Sequence, residues 1–412
     1  MRRQHRTAAL LVPVLVVAAC APPAMQGVQP ASATRWFATW TASPSEASPR
    51  PPRDSVDRVP TLFNQTVRLI IRTSIGGDNV RVRVSNEYGD RTLAIGAAHI
   101  AVRESGATIN ATTDRVLTFG GHPVLRLRPG AIAFSDPVEL AVPALHDLAI
   151  SMYFADSARL VTRHALALQT NYVRRGDVTG AREFLSDTSL YVWPFLVGVD
   201  VTNSAATGVI AAIGNSITDG ALSTRDANAR WPNVLAARLL ASGEPLKGVV
   251  NAGISGGRVL TYGAGPSALA RFDRDVLMTP GLTHVILLEG INDIGRSATD
   301  GVTADDIITG YRQLIARAHD RGVAIIGATL TPASPRTPFT AVLEARRAAV
   351  NTFIRSGGEF DGTIDFDMAT QDPAHPLQFL PSYDSGDHLH PGDTGYRAMG
   401  DAIDLTLFRR RR

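Results

Sequence analysis

The chain has 412 residues, of which 44% are hydrophobic, and a formal net charge of +3 at pH 7. This composition is typical of a folded globular protein and excludes a collagen-like or wholly disordered one. Part of the positive charge lies at the two ends, in Arg2, Arg3, Arg6 and the run 409–412, so the charge indicates no nucleic-acid-binding surface. We expect residues 409–412 to be a solvated basic tail, and the length predicts two or three domains.

The N-terminus has the pattern of an export signal. Three arginines precede the apolar run AALLVPVLVVAA, which is too short to span a bilayer comfortably. The run ends in VAAC, where Cys20 is the only cysteine of the chain. This segment resembles a bacterial lipobox, in which the cysteine is acylated. We therefore predict a lipoprotein-type signal over residues 1–20 and a lipid anchor at Cys20 in the bacterial envelope. Ordinary secretion after cleavage near Ala21 is the alternative.

Residues 21–34 are rich in proline and small residues and predict a tether. Residues 35–204 then have the pattern of an all-β accessory domain. TVRLIIRTSI and NVRVRVSN alternate apolar and polar residues, and GGDN between them is a hairpin turn signal. Further short runs separated by Gly, Pro and Asp show no helical period. Their spacing predicts a β-sandwich or jelly roll.

Residues 205–408 alternate strands and helices. GVIAAIG is a continuous apolar run, which is typical of a strand buried on both faces of a parallel sheet. A helix over 228–241 follows, and we expect Thr303 to cap a later helix that Gly322 ends. The predicted strands are KGVVNAG, THVILLEG, VAIIGATL and GTIDF, and the predicted helices are SALARFDRDVL, ADDIITGYRQLIARAHDR, AVLEARRAAVNTFIRS and TGYRAMGDAIDLTLF. This alternation predicts an α/β fold with a parallel sheet between helical layers.

Polar segments follow the predicted strands at 214–220, 251–257 and 289–293, and another lies at 387–391. In an open parallel sheet the active site lies at the carboxyl ends of the strands, so we expect these segments to form a catalytic rim. Ser216 follows the first strand, and Thr218 occupies the second glycine position of Gly-x-Ser-x-Gly, which argues against an α/β-hydrolase elbow.

Acyl transfer requires a nucleophile, a base, a group that orients the base, and donors for the oxyanion. We predict Ser216 as the nucleophile and His390 as the base. Asp387, three residues upstream of His390, can reach the other imidazole nitrogen. The predicted oxyanion donors are the N–H groups of Ser216 and Gly253 and the side chain of Asn292.

These motifs together resemble the GDSL hydrolase family over residues 205–408. GNSITDG is similar to the first block of the family, and NAGISGG, GIND and DHLHP are similar to its second, third and fifth blocks, in the same order. The Ser, Gly, Asn and His of the alternative name SGNH correspond to Ser216, Gly253, Asn292 and His390. The resemblance implies a three-layer αβα sandwich, hydrolysis of esters or thioesters, and no metal or other cofactor.

The whole chain resembles a secreted arylesterase or acylhydrolase subgroup, in which a β-rich front half precedes the hydrolase. One position departs from the family pattern, because Asn215 stands where GDSL has its aspartate. That aspartate is not a triad member in the family, so the resemblance still implies activity. We expect the change to affect hydrogen bonding within the loop.

Several polar residues compete for these roles. Asp384 and Asp393 are alternatives to Asp387, but the three-residue offset from His390 favours Asp387. His388 would lie on the opposite side of an extended segment from His390. Asp387, His388 and His390 would also suit a metal, although no cluster on a third element supports that interpretation. Asp219 and Asp293 are expected to support their loops.

The sequence thus predicts an exported serine esterase that acts on a small-molecule or polysaccharide ester, first of all by removing acetyl or other short acyl groups from carbohydrate. A lysophospholipase or a broad arylesterase is the alternative within the enzyme class. A glycan-binding lipoprotein with a vestigial hydrolase half is the alternative from another class. No nucleic-acid partner is expected.

Overall fold

The computed structural model describes residues 35–47, 60–336 and 339–409, apart from the side chains of residues 297 and 298. The predicted export signal with Cys20, the predicted tether and the last three residues of the basic tail lie outside the described residues. None of the helices in the described part is both long and apolar enough to cross a membrane.

Residues 35–204, here called the front half, are built from antiparallel strands. The strands are β1 (Trp36–Thr41), β2 (Ser45–Glu46), β3 (Thr61–Leu62), β4 (Gln65–Arg72), β5 (Gly77–Ser85), β6 (Leu93–Ile95), β7 (Ala97–Ser105), β8 (Thr108–Ile109), β9 (Arg115–Val116), β10 (Leu125–Leu127), β11 (Ile132–Phe134), β12 (Val138–Val142), β13 (Asp147–Phe154), β14 (Ala158–Arg159), β15 (Thr162–His164), β16 (Asn171–Arg175), β17 (Thr188–Leu190), β18 (Trp193–Pro194) and β19 (Leu196–Thr202). The helical structure described in this half is one 3-10 turn, Ala111–Thr113.

Two larger sheets dominate the front half. One has the order β1-β19-β5-β11 with β12 also on β5, and the other has the order β17-β16-β4-β13-β7-β8 with β9 also on β7. Val67 and Leu69 of β4 and Val80 and Val82 of β5 are at most 1% exposed and belong to the same apolar cluster. The apolar residues that alternate along β4 and β5 therefore face one shared core. The predicted sandwich-like arrangement is confirmed.

The predicted hairpin between β4 and β5 is wrong. β4 pairs with β13 and β16, whereas β5 pairs with β19, β11 and β12, so the two strands belong to different sheets. The residues between β4 and β5 form hydrogen bonds with other segments and do not close a hairpin turn. The Thr73 N–H donates to His146 O and the Ser74 N–H donates to Thr39 O. The GGDN signal thus marks a crossing between sheets.

Residues 205–409, here called the back half, alternate strands and helices. The strands are β20 (Gly208–Gly214), β21 (Lys247–Gly253), β22 (Leu282–Leu288), β23 (Ala324–Ala328), β24 (Gly362–Ile364), β25 (Gln371–Asp372) and β26 (His375–Phe379). The helices are α1 (Ser216–Asp219), α2 (Trp231–Ala241), α3 (Ala268–Phe272), α4 (Ile291–Asp300), α5 (Ala304–His319), α6 (Ala341–Ser356), α7 (Phe366–Thr370) and α8 (Asp393–Ala402).

A five-stranded parallel sheet in the order β21-β20-β22-β23-β24 forms the centre of the back half. All seven residues of β20 are buried, as its continuous apolar run predicts. The helices form two groups: α2 and α7 contact α8, while α3, α5, α6 and α4 contact one another in turn. The predicted α/β fold with a parallel sheet and helical layers is confirmed.

Several helix boundaries differ from the prediction. α2 begins at Trp231 rather than 228, with Pro232 in its first turn, where the missing N–H costs nothing. The segment after α3 continues as a π-helical turn, Asp273–Leu277. Thr303 does cap α5, in a reciprocal capping box with Asp306. α4 was not predicted, because its sequence INDIGRSATD contains a glycine and few apolar residues.

The two halves form one compact unit. Hydrogen bonds join β1 and its neighbours to the back half. Thr41 Oγ1 donates to Asn251 O at 3.0 Å, and the Val249 N–H donates to Ser74 Oγ at 3.1 Å. The register of the parallel sheet then aligns the end of β20 at Gly214 with Gly253 of β21 and Leu288 of β22. The polar segments that follow these strands therefore begin at one edge.

Candidate active site

Ser216 is the first residue of α1, immediately after β20. Asn215 caps this short helix, because its side-chain oxygen accepts the Ile217 N–H at 2.9 Å. Asparagine and aspartate cap helices about equally well, so the departure from the GDSL pattern at Asn215 keeps the local bond. The chain leaves the helix through Gly220 at φ +99°. Ser216 is 7% exposed, so the loop presents the hydroxyl at a largely buried position.

His390 connects Ser216 to Asp387. The imidazole Nε2 lies 2.8 Å from Ser216 Oγ, and Nδ1 lies 2.6 Å from Asp387 Oδ2. Because a carboxylate only accepts hydrogen bonds, Nδ1 carries the proton of that contact. In the neutral ring, Nε2 is then free to accept the Ser216 hydroxyl proton. The other Asp387 oxygen accepts the backbone N–H groups of Leu389 at 3.0 Å and His390 at 2.8 Å.

These hydrogen bonds determine the charge of Asp387. Partial burial acts to raise its pKa, but the hydrogen bonds from the His390 amide and imidazole outweigh burial and lower the pKa to about 2. A carboxyl group with this pKa is ionised throughout the neutral range. It can therefore stabilise an imidazolium at His390.

The competing residues of the His390 loop have other partners. His388 has φ +59°, and its Nδ1 lies 2.5 Å from Asp384 Oδ2. Asp393 begins α8 and accepts the Thr224 N–H at 2.8 Å. The three side chains that would suit a metal therefore do not converge: His388 pairs with Asp384, whereas His390 pairs with Asp387.

The predicted oxyanion donors are not equally available. Asn292 lies in the first turn of α4, and its Nδ2 donates one hydrogen bond to Gly257 O at 2.9 Å, which leaves one N–H of the amide group. The Ser216 N–H makes no hydrogen bond within the part of the chain that the structure describes. The Gly253 N–H, however, donates to Asn251 Oδ1 at 2.8 Å. Since an amide carries one proton, the prediction of Gly253 as an oxyanion donor requires correction.

The turn Ile254–Gly257 offers a different backbone donor. The Gly257 N–H closes the turn onto Ile254 O at 2.8 Å, and Gly256 adopts φ +76°, a conformation in which glycine is favoured. The Gly256 N–H makes no hydrogen bond to any described residue. Gly256 was not among the site residues predicted from the sequence. The doublet Gly256-Gly257 after Ser255 is the signal that indicates a turn at this place.

Two buried aspartates support the loops of the site, as expected. Asp219 Oδ2 accepts both the N–H and the hydroxyl of Ser255 at 2.8 Å. Asp293 accepts the N–H groups of Val259 at 2.9 Å and Leu260 at 3.1 Å. Asp219 therefore ties α1 to the Ile254–Gly257 turn, and Asp293 ties the start of α4 to the segment that follows this turn.

A buried carboxyl group, Glu289, lies directly after β22 and is fully inaccessible. Burial raises its pKa to about 8, against the opposing effect of the nearby Arg271 guanidinium. The Arg271 Nη2 lies 3.8 Å from Glu289 Oε2 and donates to Gly214 O at 3.0 Å. At neutral pH, the protonated and neutral form of the Glu289 carboxyl group is therefore favoured.

The chain was also compared with known protein families and solved structures. Residues 212–398 match the model of the GDSL-like Lipase/Acylhydrolase family. The solved structures that resemble the chain include an acetylxylan esterase from Geobacillus stearothermophilus, at 21% identity and a TM-score of 0.38 over 50% of this chain and 96% of that one. A GDSL-like lipase from Bacteroides thetaiotaomicron has 19% identity and a TM-score of 0.37 over 49% of this chain and 88% of that one. No curated protein matches the chain.

The matched segment contains Ser216, Asn292, Asp387 and His390. The protein is accordingly a hydrolase that acts on esters. Residues 212–398 form a GDSL-like lipase/acylhydrolase domain, which confirms the family resemblance inferred from the four sequence blocks.

Proposed function

We propose that the protein is a serine esterase in which Ser216 is the nucleophile, His390 the general base and Asp387 the residue that orients His390. The observation that carries this proposal is the continuous hydrogen-bonded series from Ser216 Oγ to His390 Nε2 and from His390 Nδ1 to Asp387 Oδ2, at 2.8 and 2.6 Å. These distances suit proton transfer by a positioned base.

In the acylation half of the reaction, Ser216 Oγ forms a bond to the ester carbonyl carbon while its proton passes to His390 Nε2. The carbonyl electron pair moves onto oxygen, which becomes an oxyanion. Its collapse breaks the bond to the alcohol oxygen, and His390 returns the proton to the leaving alcohol. Water then attacks the acyl-serine with His390 again as base, and the carboxylic acid leaves as Ser216 regains its proton.

The oxyanion hole that we propose consists of the N–H groups of Ser216 and Gly256 and one N–H of Asn292. The two backbone donors have no other acceptor among the described residues, and Gly257 O orients the Asn292 amide. Preorganised donors of this kind stabilise charge that develops only in the transition state. Gly256 replaces Gly253, the donor predicted from the sequence.

We propose that the acyl group is short, with acetyl first. Ile291 and Leu389 are the chain neighbours of Asn292 and His390, and they pack with Ala333 into a separate apolar cluster. Their exposures are 4%, 8% and 0%. From this buried cluster next to two residues of the site, we infer that a small acyl group is favoured over a long acyl chain. A carbohydrate alcohol is the proposed leaving group, and a lysophospholipid or an aryl ester is the alternative.

We also propose that the protein is exported and anchored in the envelope through an acylated Cys20. The support is the sequence pattern of residues 1–20, with one cysteine in the whole chain at the position of the lipobox cysteine. Metabolic labelling with a fatty-acid probe tests this. Label is expected on the wild-type chain and lost in Cys20→Ser, and equal labelling of both would contradict the anchor.

The esterase proposal is tested by hydrolysis of p-nitrophenyl acetate, butyrate and octanoate by the wild type and by Ser216→Ala. Wild-type turnover that is fastest on acetate and lost in the variant supports it, and acetylated xylan is the follow-up substrate. Fastest turnover of octanoate would favour the lysophospholipase. Inactivity of both proteins on every ester, together with glycan binding by the whole chain, would favour the binding-protein alternative.

A further inference from the structure

We propose that His164, a residue of the front half, is a positioning residue of the esterase site that acts through Asp219 on the Ile254–Gly257 turn. This inference rests on the proposed esterase function. It also gives the front half a role in catalysis that requires no binding of substrate by that half.

The contact between the halves is short and buried. His164 ends β15, and its Nε2 lies 2.9 Å from Asp219 Oδ1, in the helix that starts with Ser216. Only 6% and 4% of the two side chains are exposed. The other imidazole nitrogen, Nδ1, lies 2.9 Å from Ser43 O, also in the front half.

Every partner of the His164 ring among the described residues is an acceptor. Ser43 O and Leu166 O are carbonyl oxygens, at 2.9 Å from Nδ1 and 3.2 Å from Nε2, and Asp219 contributes a carboxylate oxygen. Both ring nitrogens must therefore carry protons to satisfy these contacts, which makes the ring an imidazolium paired with the Asp219 carboxylate. Arg230 adds a second cation at this place and donates from Nε to Asp219 O at 2.8 Å.

Asp219 transmits this restraint to the oxyanion side of the site. While Oδ1 faces His164, Oδ2 accepts the N–H and the hydroxyl of Ser255, both at 2.8 Å. Ser255 precedes Gly256 in the Ile254–Gly257 turn. Gly257, the last residue of the turn, accepts the Asn292 amide at 2.9 Å. The Asp219 carboxylate therefore orients the Ile254–Gly257 turn. This turn carries one proposed oxyanion donor, the Gly256 N–H, and its Gly257 O orients another, the Asn292 amide.

This arrangement predicts an effect on the transition state more than on substrate binding. If the Asp219 carboxylate loses its partner, it is left as a buried charge that can rotate or take up water. The Ile254–Gly257 turn is then less well fixed. Oxyanion donors act chiefly on the charge that develops in the transition state, so a displaced turn lowers kcat with little change in KM.

The experiment compares three full-length variants with the wild type in p-nitrophenyl acetate hydrolysis. His164→Leu removes all three hydrogen-bond contacts of the ring, whereas His164→Gln retains an amide N–H that can donate to Asp219. Ser74→Ala is the matched control, because Ser74 is also a front-half residue with a buried hydrogen bond to the back half, from the Val249 N–H at 3.1 Å. Thermal unfolding of each protein reports lost stability separately.

We expect kcat to fall about 10- to 100-fold in His164→Leu, which is less than loss of an oxyanion donor itself. We expect KM to change less than about threefold, and His164→Gln to recover most of the lost kcat. Ser74→Ala should lower the unfolding temperature without lowering kcat. A folded His164→Leu variant with wild-type kcat would overturn the proposal. A fall in the kcat of Ser74→Ala as large as that of His164→Leu would also overturn it, because general loss of a buried contact between the halves would then explain both. An inactive wild type would instead contradict the esterase function itself.

If His164→Leu fails to fold, a double-mutant cycle of Ser255→Ala with His164→Asn keeps the proposal testable, because the shorter Asn amide can replace Nδ1 toward Ser43 O but does not reach Asp219. Both single changes act through Asp219, so their effects on kcat should be less than additive. Additive effects would show that His164 and Ser255 act independently and would overturn the proposal.

Discussion

His390 Nε2 lies 2.8 Å from Ser216 Oγ although the two residues are 174 positions apart in the chain. Ser216 begins α1, directly after the end of β20, and His390 lies on the loop before α8. The edge of the parallel sheet, where the loops after the strands meet, is therefore the part of the fold on which the proposed chemistry depends.

The first prediction concerns Asp387. In Asp387→Asn the side chain no longer fixes the tautomer that leaves His390 Nε2 unprotonated, so kcat should fall by about 10³- to 10⁴-fold. The measurement is the rate of p-nitrophenyl acetate hydrolysis against pH. Because the pKa of Asp387 is lowered to about 2, the wild-type profile should show no ionisation of this carboxyl between pH 4 and 9. A wild-type rate in the variant would contradict the role of Asp387.

Asn292 provides a second test. Asn292→Ala removes the side-chain donor and should lower kcat by about 10²- to 10³-fold while KM changes little. Steady-state kinetics on p-nitrophenyl acetate measures both constants. Asn292→Asp keeps the shape but replaces the amide with an acceptor, so it should be at least as slow. A change confined to KM would assign Asn292 to substrate binding instead.

The third prediction concerns the dependence of stability on pH. The folded-state pKa of Glu289 is raised to about 8, so its contribution to stability is fully present below the unfolded-state value of about 4.5 and is lost as the pH rises through about 8. Glu289→Gln keeps the volume and cannot ionise. The unfolding temperature of the variant relative to the wild type should therefore rise from pH 5 to pH 8. A constant difference would contradict the raised pKa.

The fourth prediction concerns the Thr303 cap. Its side chain accepts the Asp306 N–H, and the Asp306 side chain accepts the Thr303 N–H at 2.9 Å. Thr303→Ala should reduce the free energy of unfolding by about 1 kcal/mol. Denaturant unfolding measures this, and kcat should stay at the wild-type value because the cap lies outside the proposed site. Unchanged stability would show that tertiary packing alone holds the start of α5.

The site residues that follow strongly apolar strands could be predicted from the sequence. Ser216 and Asn292 lie at ends of buried parallel strands, and the order of the motifs indicated a shared edge. The Gly253 assignment was wrong for a local reason, because NAGISGG contains three glycines and no pattern shows which amide is already bonded. The structure supplies this information through the bond from Gly253 to Asn251 Oδ1.

Contacts between distant segments were the least predictable. His164 belongs to a three-residue strand, and its partner Asp219 lies 55 positions away in the other half. No periodicity within either segment indicates such a pair. The β4–β5 hairpin was mispredicted for a similar reason, because Thr73 and Ser74 bond to segments remote in sequence and lead the chain into the other sheet.

The most direct test of the proposed nucleophile is covalent labelling with a fluorophosphonate, followed by peptide mass spectrometry of the wild type and of Ser216→Ala. We predict one phosphonylated residue, Ser216, with loss of p-nitrophenyl acetate turnover in step with labelling. We also predict neither label nor turnover in the folded variant. A label on a different serine, or a Ser216→Ala variant that still takes up the label and turns over the ester, would contradict the assignment of Ser216.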